Sequence, residues 1–275
     1  MLSELSTLQQ KCREKDIKLF GAISGDVIGS DYEFAGIKYY DFNLFPPNSN
    51  YTDDSVLTIA TASKLILSSD YSTEYRNFGA KYPNPKGAYG NNFRMWLRNP
   101  DAVPLTSFGN GSAMRVSPVG YAFKTIEETL LEAKRSAEVS HAHPEGIKGA
   151  QATAAAVFLA RTGSSKEIIK EFISTTFQYD LERTCDEIRP KYRFDPSCQG
   201  TVPESIIAFL ESKDFEDAIR LTISLGGDSD TMGAITGAIA EAFYGEVPQS
   251  IKRKVVELLP LEFLDIILKF NTKFM

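Results

Sequence analysis

The stretch GIKGAQATAAAVFLAR, Gly146 to Arg161, decides the fold class. Ala152, Ala154, Ala155, Ala156 and Ala160 make it alanine-rich, and alanine is the strongest helix former. A helix with so little polar surface belongs inside a protein, so it reads as a buried central helix. Outward from it the apolar residues keep a helical period. Ile17 to Ile28 reads as a helix whose Gly21, Ala22, Ser24 and Gly25 suit close helix packing. Asp53 to Leu67 reads as a helix ended by Ser68-Ser69-Asp70. Ile126 to Val139 is amphipathic, with Glu127, Glu128, Glu132, Lys134 and Arg135 expected on the outer face. Ser165 to Phe177, Val202 to Glu211, Phe215 to Ser224, Asp230 to Tyr244, Pro248 to Leu258 and Leu261 to Phe270 complete the set. Pro203 and Pro248 fall where a first helical turn tolerates proline. Strand alternation is scarce: Lys38 to Phe45 is the one extended candidate, weakened by Asp41 and Asn43. No Gly/Ser linker or repeat divides the chain. The reading is an all-α protein with an N-terminal extension over 1–16 and a single domain over 17–275.

The composition sets limits. A chain of 275 residues with 43% hydrophobic content can bury a substantial core. Lys+Arg 30 against Asp+Glu 36 gives a net charge of −6, which does not suit binding driven by phosphate neutralisation, so nucleic acid is not indicated as a partner. Cys12, Cys185 and Cys198 form no CxxC pair, which argues against a disulfide framework or a thiolate zinc site. The N-terminus lacks the apolar core of a secretory signal. No stretch approaches the ~18 apolar residues of a membrane span. A soluble cytoplasmic protein with no membrane partner is expected.

Two short stretches carry the chemistry. Thr52-Asp53-Asp54-Ser55 precedes the apolar run from Val56, and Gly226-Gly227-Asp228-Ser229-Asp230-Thr231 precedes the run from Met232. Each sets carboxylates and a hydroxyl at a helix start, where unpaired N–H groups and the dipole favour negative charge. Asp228 and Asp230 converge only if Asp228 lies in the turn and the helix begins near Asp230, and Gly226 and Gly227 permit that turn. Helix capping is the ordinary reading of either stretch alone. Two matched oxygen-rich starts are also what a hard cation such as Mg²⁺ or Mn²⁺ requires.

Four long segments lack a helical pattern: Gly36–Tyr51, Tyr82–Gly90, Asn99–Gly111 and Tyr179–Thr201. Segments of this length in a compact domain tend to be functional or disordered. The third ends in Thr106-Ser107-Phe108-Gly109-Asn110-Gly111-Ser112-Ala113-Met114-Arg115. Its glycines can expose successive N–H groups as an anion cradle, or simply form a tight turn before a helix.

Taken in order, these segments resemble the ADP-ribosylglycohydrolase family over nearly the whole chain. The resemblance runs from Gly21-Ala22-Ile23-Ser24-Gly25-Asp26-Val27-Ile28-Gly29 and Glu33, through Tyr51-Thr52-Asp53-Asp54-Ser55. It continues through Tyr89-Gly90 with Phe93 and Trp96, then Gly109-Asn110-Gly111-Ser112-Ala113-Met114-Arg115, Ser140-His141, and Gly226–Thr231. It implies a compact all-α fold with a dinuclear Mg²⁺ or Mn²⁺ centre, held by Thr52, Asp53 and Asp54 on one side and Asp228, Asp230 and Thr231 on the other. Ser55 stands where threonine is common and keeps the hydroxyl. Asp26 matches an acid of the opening motif and is expected to be buried, in helix packing or in support of the site, and not to bind metal. The resemblance further implies that Ser107, Phe108, Gly109, Asn110, Gly111 and Ser112 hold the diphosphate and adenine of ADP-ribose, with Phe108 stacking on the base. His141 is expected to contact the ligand. His143 lies outside the match, with capping or surface exposure its ordinary role.

The reaction implied is hydrolysis of the glycosidic bond between the distal ribose of ADP-ribose and an acceptor on a modified protein or other molecule. Such bonds break through an oxocarbenium-like state, which an acidic cleft stabilises. Glu33 and Asp53 are the candidates for orienting or deprotonating the attacking water. Arginine is the expected acceptor; Asp186 and Glu204 are possible contacts to its guanidinium, with a solvated surface their ordinary role. The alternative is a catalytically silent ADP-ribose-binding or inhibitory protein of the same fold, which would be expected to have lost ligands that this chain retains. A phosphodiesterase-like metal site usually recruits several histidines, and this chain has only His141 and His143.

Overall fold

Sixteen helices account for the regular structure of the computed structural model, which describes residues 2–14, 17–99 and 102–275. Met1, Lys15 and Asp16 of the expected N-terminal extension lie outside the described residues, as do Pro100 and Asp101 of the expected Asn99–Gly111 loop. In chain order the helices are α1 (Leu2–Cys12), α2 (Phe20–Gly29), α3 (Asp53–Leu67), α4 (Tyr71–Lys81), α5 (Asn91–Arg98), α6 (Gly111–Met114), α7 (Ser117–Ala122) and α8 (Ile126–Glu138). Then follow α9 (Pro144–Arg161), α10 (Lys166–Phe177), α11 (Cys185–Ile188), α12 (Cys198–Glu211), α13 (Phe215–Ile223), α14 (Ser229–Tyr244), α15 (Gln249–Leu258) and α16 (Leu261–Phe274). Among the described residues there is no strand, only isolated bridges such as Thr106 with His141 and Gly109 with Ser197. Lys38–Phe45 is irregular. No described helix is long and apolar enough to cross a membrane.

The alanine-rich α9 is a buried central helix, as its composition predicts: it touches α6, α7, α8, α10, α12 and α14. The tightest contact lies elsewhere, between α2 and α14. Gly21, Gly25 and Gly29 recur every four residues and therefore share one face of α2. A Cβ on Gly25 would sit 1.8 Å from the Gly233 carbonyl oxygen, one on Gly21 2.2 Å from that of Gly237, and one on Gly29 2.2 Å from that of Ser229. The two backbones therefore touch, and α2 is buried along its whole length. This contact fixes the start of α14 beside the end of α2. Helix α3 packs on α2, α4, α7, α14 and α16.

Local chemistry explains where the helix bounds depart from the sequence reading. Helix α2 begins at Phe20, not Ile17, because the buried Glu241 carboxylate accepts from the Leu19 and Gly21 amides at 3.1 and 2.9 Å, and Leu19 takes a left-handed conformation. Helix α12 begins at Cys198, capped by the Ser197 hydroxyl, so Pro203 lies inside it and not in its first turn. Asp70, read as part of a stop, is the cap of the next helix, accepting from the Thr73 amide at 2.8 Å. Glu132, expected outside, is buried and paired with Lys64 and Arg135. The Tyr179–Thr201 segment is interrupted by α11 and closed by α12. The N-terminal α1 docks on α15 and α16, burying Cys12. All three cysteines are buried free thiols, and burial raises Cys12 and Cys198 to about 12.

Candidate active site

The N-terminus of α3 is built from below by Asp26 of α2. Asp26 is fully buried, and both its oxygens are occupied. One accepts from the Thr52 hydroxyl at 2.8 Å; the other accepts from the Thr52 and Ser55 amides, each at 3.0 Å, and from the Ser55 hydroxyl. Four donors compensate much of the cost of burying the carboxylate. Burial still pushes Asp26 up to about 6 against those hydrogen bonds. Thr52 caps α3 by accepting from the Asp54 amide at 3.2 Å. Asp26 is thus buried, as expected, and hydrogen-bonded to the first turn of α3.

The start of α14 is held differently. Gly226 has φ +69°, a left-handed turn that glycine allows, and Asp228 occupies the N-cap position without a side-chain cap bond. Asp228 instead accepts from the Asn110 side-chain amide at 2.8 Å. The helix begins at Ser229, one residue ahead of the expected Asp230, and Asp228 does lie in the turn.

Both starts open into one cleft of about 670 Å³. Asp53, Asp54, Asp228, Asp230 and Thr231 line it, with Glu33 at its side. Oxygens of Glu33, Asp228 and Asp230 lie within 4.8 Å of one another. Burial is the first cause that raises every one of these carboxyls, and their neighbours add to it. Glu33 is pushed up to about 8 by burial and then by Asp230 and Asp26. Asp53 and Asp54 are raised well above the usual range by burial and then by Asp230. Asp230 is raised well above it by burial and then by Asp228, and Asp228 to about 6 by burial. Asp54 also leaves one buried oxygen, Oδ1, without a hydrogen-bond partner. Thr52 alone of the expected ligand set does not line the cleft; it is fully buried, its hydroxyl committed to Asp26.

The Ser107–Ser112 segment forms the opposite wall. Ser107, Gly109, Asn110, Gly111 and His141 face the cleft. Ser112 does not: it is buried, and its hydroxyl donates to the Gly146 carbonyl at 2.7 Å. Two of the N–H groups expected to form an open cradle are already used, Gly109 on Ser107 Oγ at 3.1 Å and Asn110 on the Pro196 carbonyl at 2.8 Å. Phe108 is half-exposed and lies edge-on to His143 at 5.5 Å, lining a neighbouring hollow of about 460 Å³ that shares Asn92, Ser107, Gly109 and Pro196 with the cleft. His143 caps α9, accepting from the Glu145 amide at 3.1 Å.

Sequence reasoning passed over several lining residues. Phe34 and Phe194 stack at 5.9 Å beside Glu33, between the cleft and a second hollow of about 580 Å³. Arg115, which the sequence marks only as the end of a motif, reaches the cleft from a fully buried position. No local pattern marks Phe194, which lies in an irregular loop. Tyr89, Gly90 and Phe93 do line the cleft, whereas Trp96 is buried beneath Arg76. Asp186 and Glu204 do not line it: Asp186 pairs with Arg189 at the surface, and Glu204 is buried against Arg183.

Comparison with known proteins identifies the family. The profile of the family described as ADP-ribosylglycohydrolase matches residues 18–271. Human (Homo sapiens) ADP-ribosylhydrolase ARH3 is 26% identical over 315 residues, covering 84% of this chain and 86% of that protein. ADP-ribosylarginine hydrolase Tri1 of Pseudomonas putida (strain GB-1) is 25% identical over 258 residues, covering 82% and 69%. A solved structure described as an ADP-ribosylglycohydrolase-related protein complex superimposes with a TM-score of 0.72 at 22% identity, over 98% of this chain and all of that one (100%), which shows the shared fold. A profile match from Lys18 to Asn271, on an all-α fold with acids gathered in one cleft, means that the chain belongs to the ADP-ribosylglycohydrolase family and is a hydrolase of ADP-ribosyl glycosidic bonds.

Proposed function

We propose that the chain is a divalent-cation-dependent hydrolase that releases ADP-ribose from an ADP-ribosylated acceptor, with arginine as that acceptor. The observation that carries the reading is the opening of two acidic helix starts, distant in sequence, into a single cleft. The residues fit a hard cation. The donors are all oxygens, Asp54 Oδ1 is buried without a partner, and the carboxyls raise one another. Two unit charges 4 Å apart repel by ~4 kcal/mol at an effective dielectric of 20, so this many acids call for counter-charge or protons. Asp53, Asp54, Asp228, Asp230 and Thr231 would hold two Mg²⁺ or Mn²⁺. Thr52, whose hydroxyl is already engaged with Asp26 and Asp54, is the weakest member of that set. When bound, such cations supply counter-charge, orient ribose hydroxyls and acidify water.

The chain's own residues divide the remaining work. Glu33 or Asp53 orients the attacking water or takes its proton. The negative cleft stabilises positive charge growing at the anomeric carbon as the bond to the acceptor breaks. The Ser107–Gly111 wall and His141 receive the diphosphate, and Phe108 offers a ring face to the adenine. Support for arginine comes from the similarity to the Pseudomonas ADP-ribosylarginine hydrolase and from the Phe34–Phe194 pair beside Glu33, since a guanidinium stacks on aromatic rings and is drawn to carboxylates. A silent ADP-ribose binder is disfavoured because the full acidic set is retained and gathered.

The test is release of free ADP-ribose from arginine-linked and serine-linked peptides at equal concentration, with and without a chelator. Faster, chelator-sensitive release from the arginine-linked peptide is expected. Faster release from the serine-linked peptide would overturn the acceptor, and release unaffected by chelation would overturn the cation requirement.

A further inference from the structure

We infer that Arg115 and Ser140 are positioning residues that hold His141 as its Nε2–H tautomer, so that a neutral imidazole donates a hydrogen bond to the substrate's diphosphate beside the Gly109–Gly111 turn. The substrate half of this inference rests on the function proposed above; the tautomer half does not.

Arg115 is fully buried, and no described carboxylate pairs with it. Its guanidinium lies 4.1 Å from the Tyr75 ring centroid and 5.8 Å from that of Phe93, and its Nε and Nη1 have no hydrogen-bond partner. Its Nη2 donates to the Ser136 carbonyl at 2.9 Å and to Ser140 Oγ at 2.8 Å. A guanidinium can only donate, so Ser140 Oγ is the acceptor in that pair. Ser140 is itself fully buried, and its hydroxyl hydrogen must go elsewhere. The acceptor placed for it among the described residues is His141 Nδ1, at 2.9 Å. A proton on Nδ1 would set two donors against one another and leave the buried hydroxyl hydrogen without an acceptor, which disfavours that tautomer roughly tenfold or more. The proton therefore sits on Nε2.

The position of Nε2 gives the tautomer its use. A Cβ on Gly111 would lie 3.0 Å from Nε2, and one on Gly109 3.7 Å, so the ring nitrogen faces the glycine turn. In that turn the Gly109 and Asn110 amides are already committed to Ser107 and Pro196. The Nε2–H supplies a donor that these two amides do not. Burial, and then the charge of Arg115, hold the imidazole neutral by lowering its proton affinity. The donor is therefore fixed by a tautomer and not by a charge.

With only two histidines in the chain, ring ¹⁵N spectra of histidine-labelled protein contain two imidazoles. His143→Asn, which keeps a good helix cap, assigns them. The expected result is a protonated, pyrrole-type Nε2 and a pyridine-type Nδ1 on His141. Ser140→Ala removes only a small hydroxyl; it should mix the tautomers and raise the Kd for ADP-ribose about five- to tenfold. KM should rise by the same factor while kcat stays within about twofold, because the contact is made equally before and during bond breaking. An Nδ1–H tautomer in the unmodified protein overturns the inference, as does a Ser140→Ala protein with unchanged tautomer and unchanged Kd. Failure of the unmodified protein to bind ADP-ribose would overturn the substrate half and the proposed function together, whatever the spectra show of the tautomer.

Discussion

The start of α3 and the start of α14 carry the same residue types, yet their carboxylates are held by different means. At α3 a dedicated buried acid, Asp26, gathers four hydrogens from Thr52 and Ser55 and pins the first turn. At α14 no side chain caps the helix. Asp228 is placed by a left-handed glycine, by the contact of α14 with α2 and by one bond from Asn110. One start is fixed by polar satisfaction and the other by backbone packing. Helix α2 serves both: its glycine face touches α14, and its Asp26 reaches α3. A single short helix thereby registers two distant acidic segments to one cleft.

The largest break in that comparison is Gly25→Val. The added side chain would begin 1.8 Å from a backbone oxygen of α14, so the helices must separate. We expect a loss of more than about 4 kcal/mol in unfolding free energy by urea titration, or failure to fold. A loss below about 1 kcal/mol would show that α2 and α14 are not in backbone contact.

Cutting one polar support at each start sharpens the contrast. Asp26→Asn keeps the shape but turns an amide group towards the donors that a carboxylate oxygen served, and should cost about 2–4 kcal/mol. Asn110→Ala removes one bond to Asp228 and one to Thr201, and should cost about 1–2 kcal/mol. Thermal or urea unfolding of the two variants side by side checks the order. The reverse order would mean that α14 depends on polar pinning more than α3 does.

At the acids themselves the effect on stability is expected to be no larger than at Asn110, and of opposite sign. Asp230→Asn relieves charge crowding and should raise the stability of the cation-free protein by about 1–2 kcal/mol, while circular dichroism stays unchanged. The same change should lower ADP-ribose release at least about 100-fold and shrink the rise in Tm on adding Mn²⁺. Unmodified turnover in this variant would remove Asp230 from the site.

The sequence made one side of this comparison more legible than the other. Helix α3 was bounded correctly, Asp53 to Leu67, because a capping threonine and an unbroken apolar period sit together. The turn before α14 was legible through Gly226-Gly227. What no local pattern carries is partnership across the fold. That Asp26 collects both Thr52 and Ser55, or that Arg115 reaches Ser140, depends on helices meeting in three dimensions. The same limit hid Glu132 behind Lys64 and buried Glu204, read as a surface residue, against Arg183. Short helices such as α5 and α7 escaped because a few residues cannot establish a period. Pro203 misled because its helix gains an earlier turn from the Ser197 cap, a stronger local signal than the proline.

The central claim is that the two helix starts form one cation site. Crystals soaked in Mn²⁺ and measured for anomalous scattering test it most directly. The account predicts peaks in the cleft within bonding reach of carboxylates from both segments, Asp53 or Asp54 on one side and Asp228 or Asp230 on the other. A cleft without peaks at saturating Mn²⁺, or peaks bound by only one of the two segments, would contradict it.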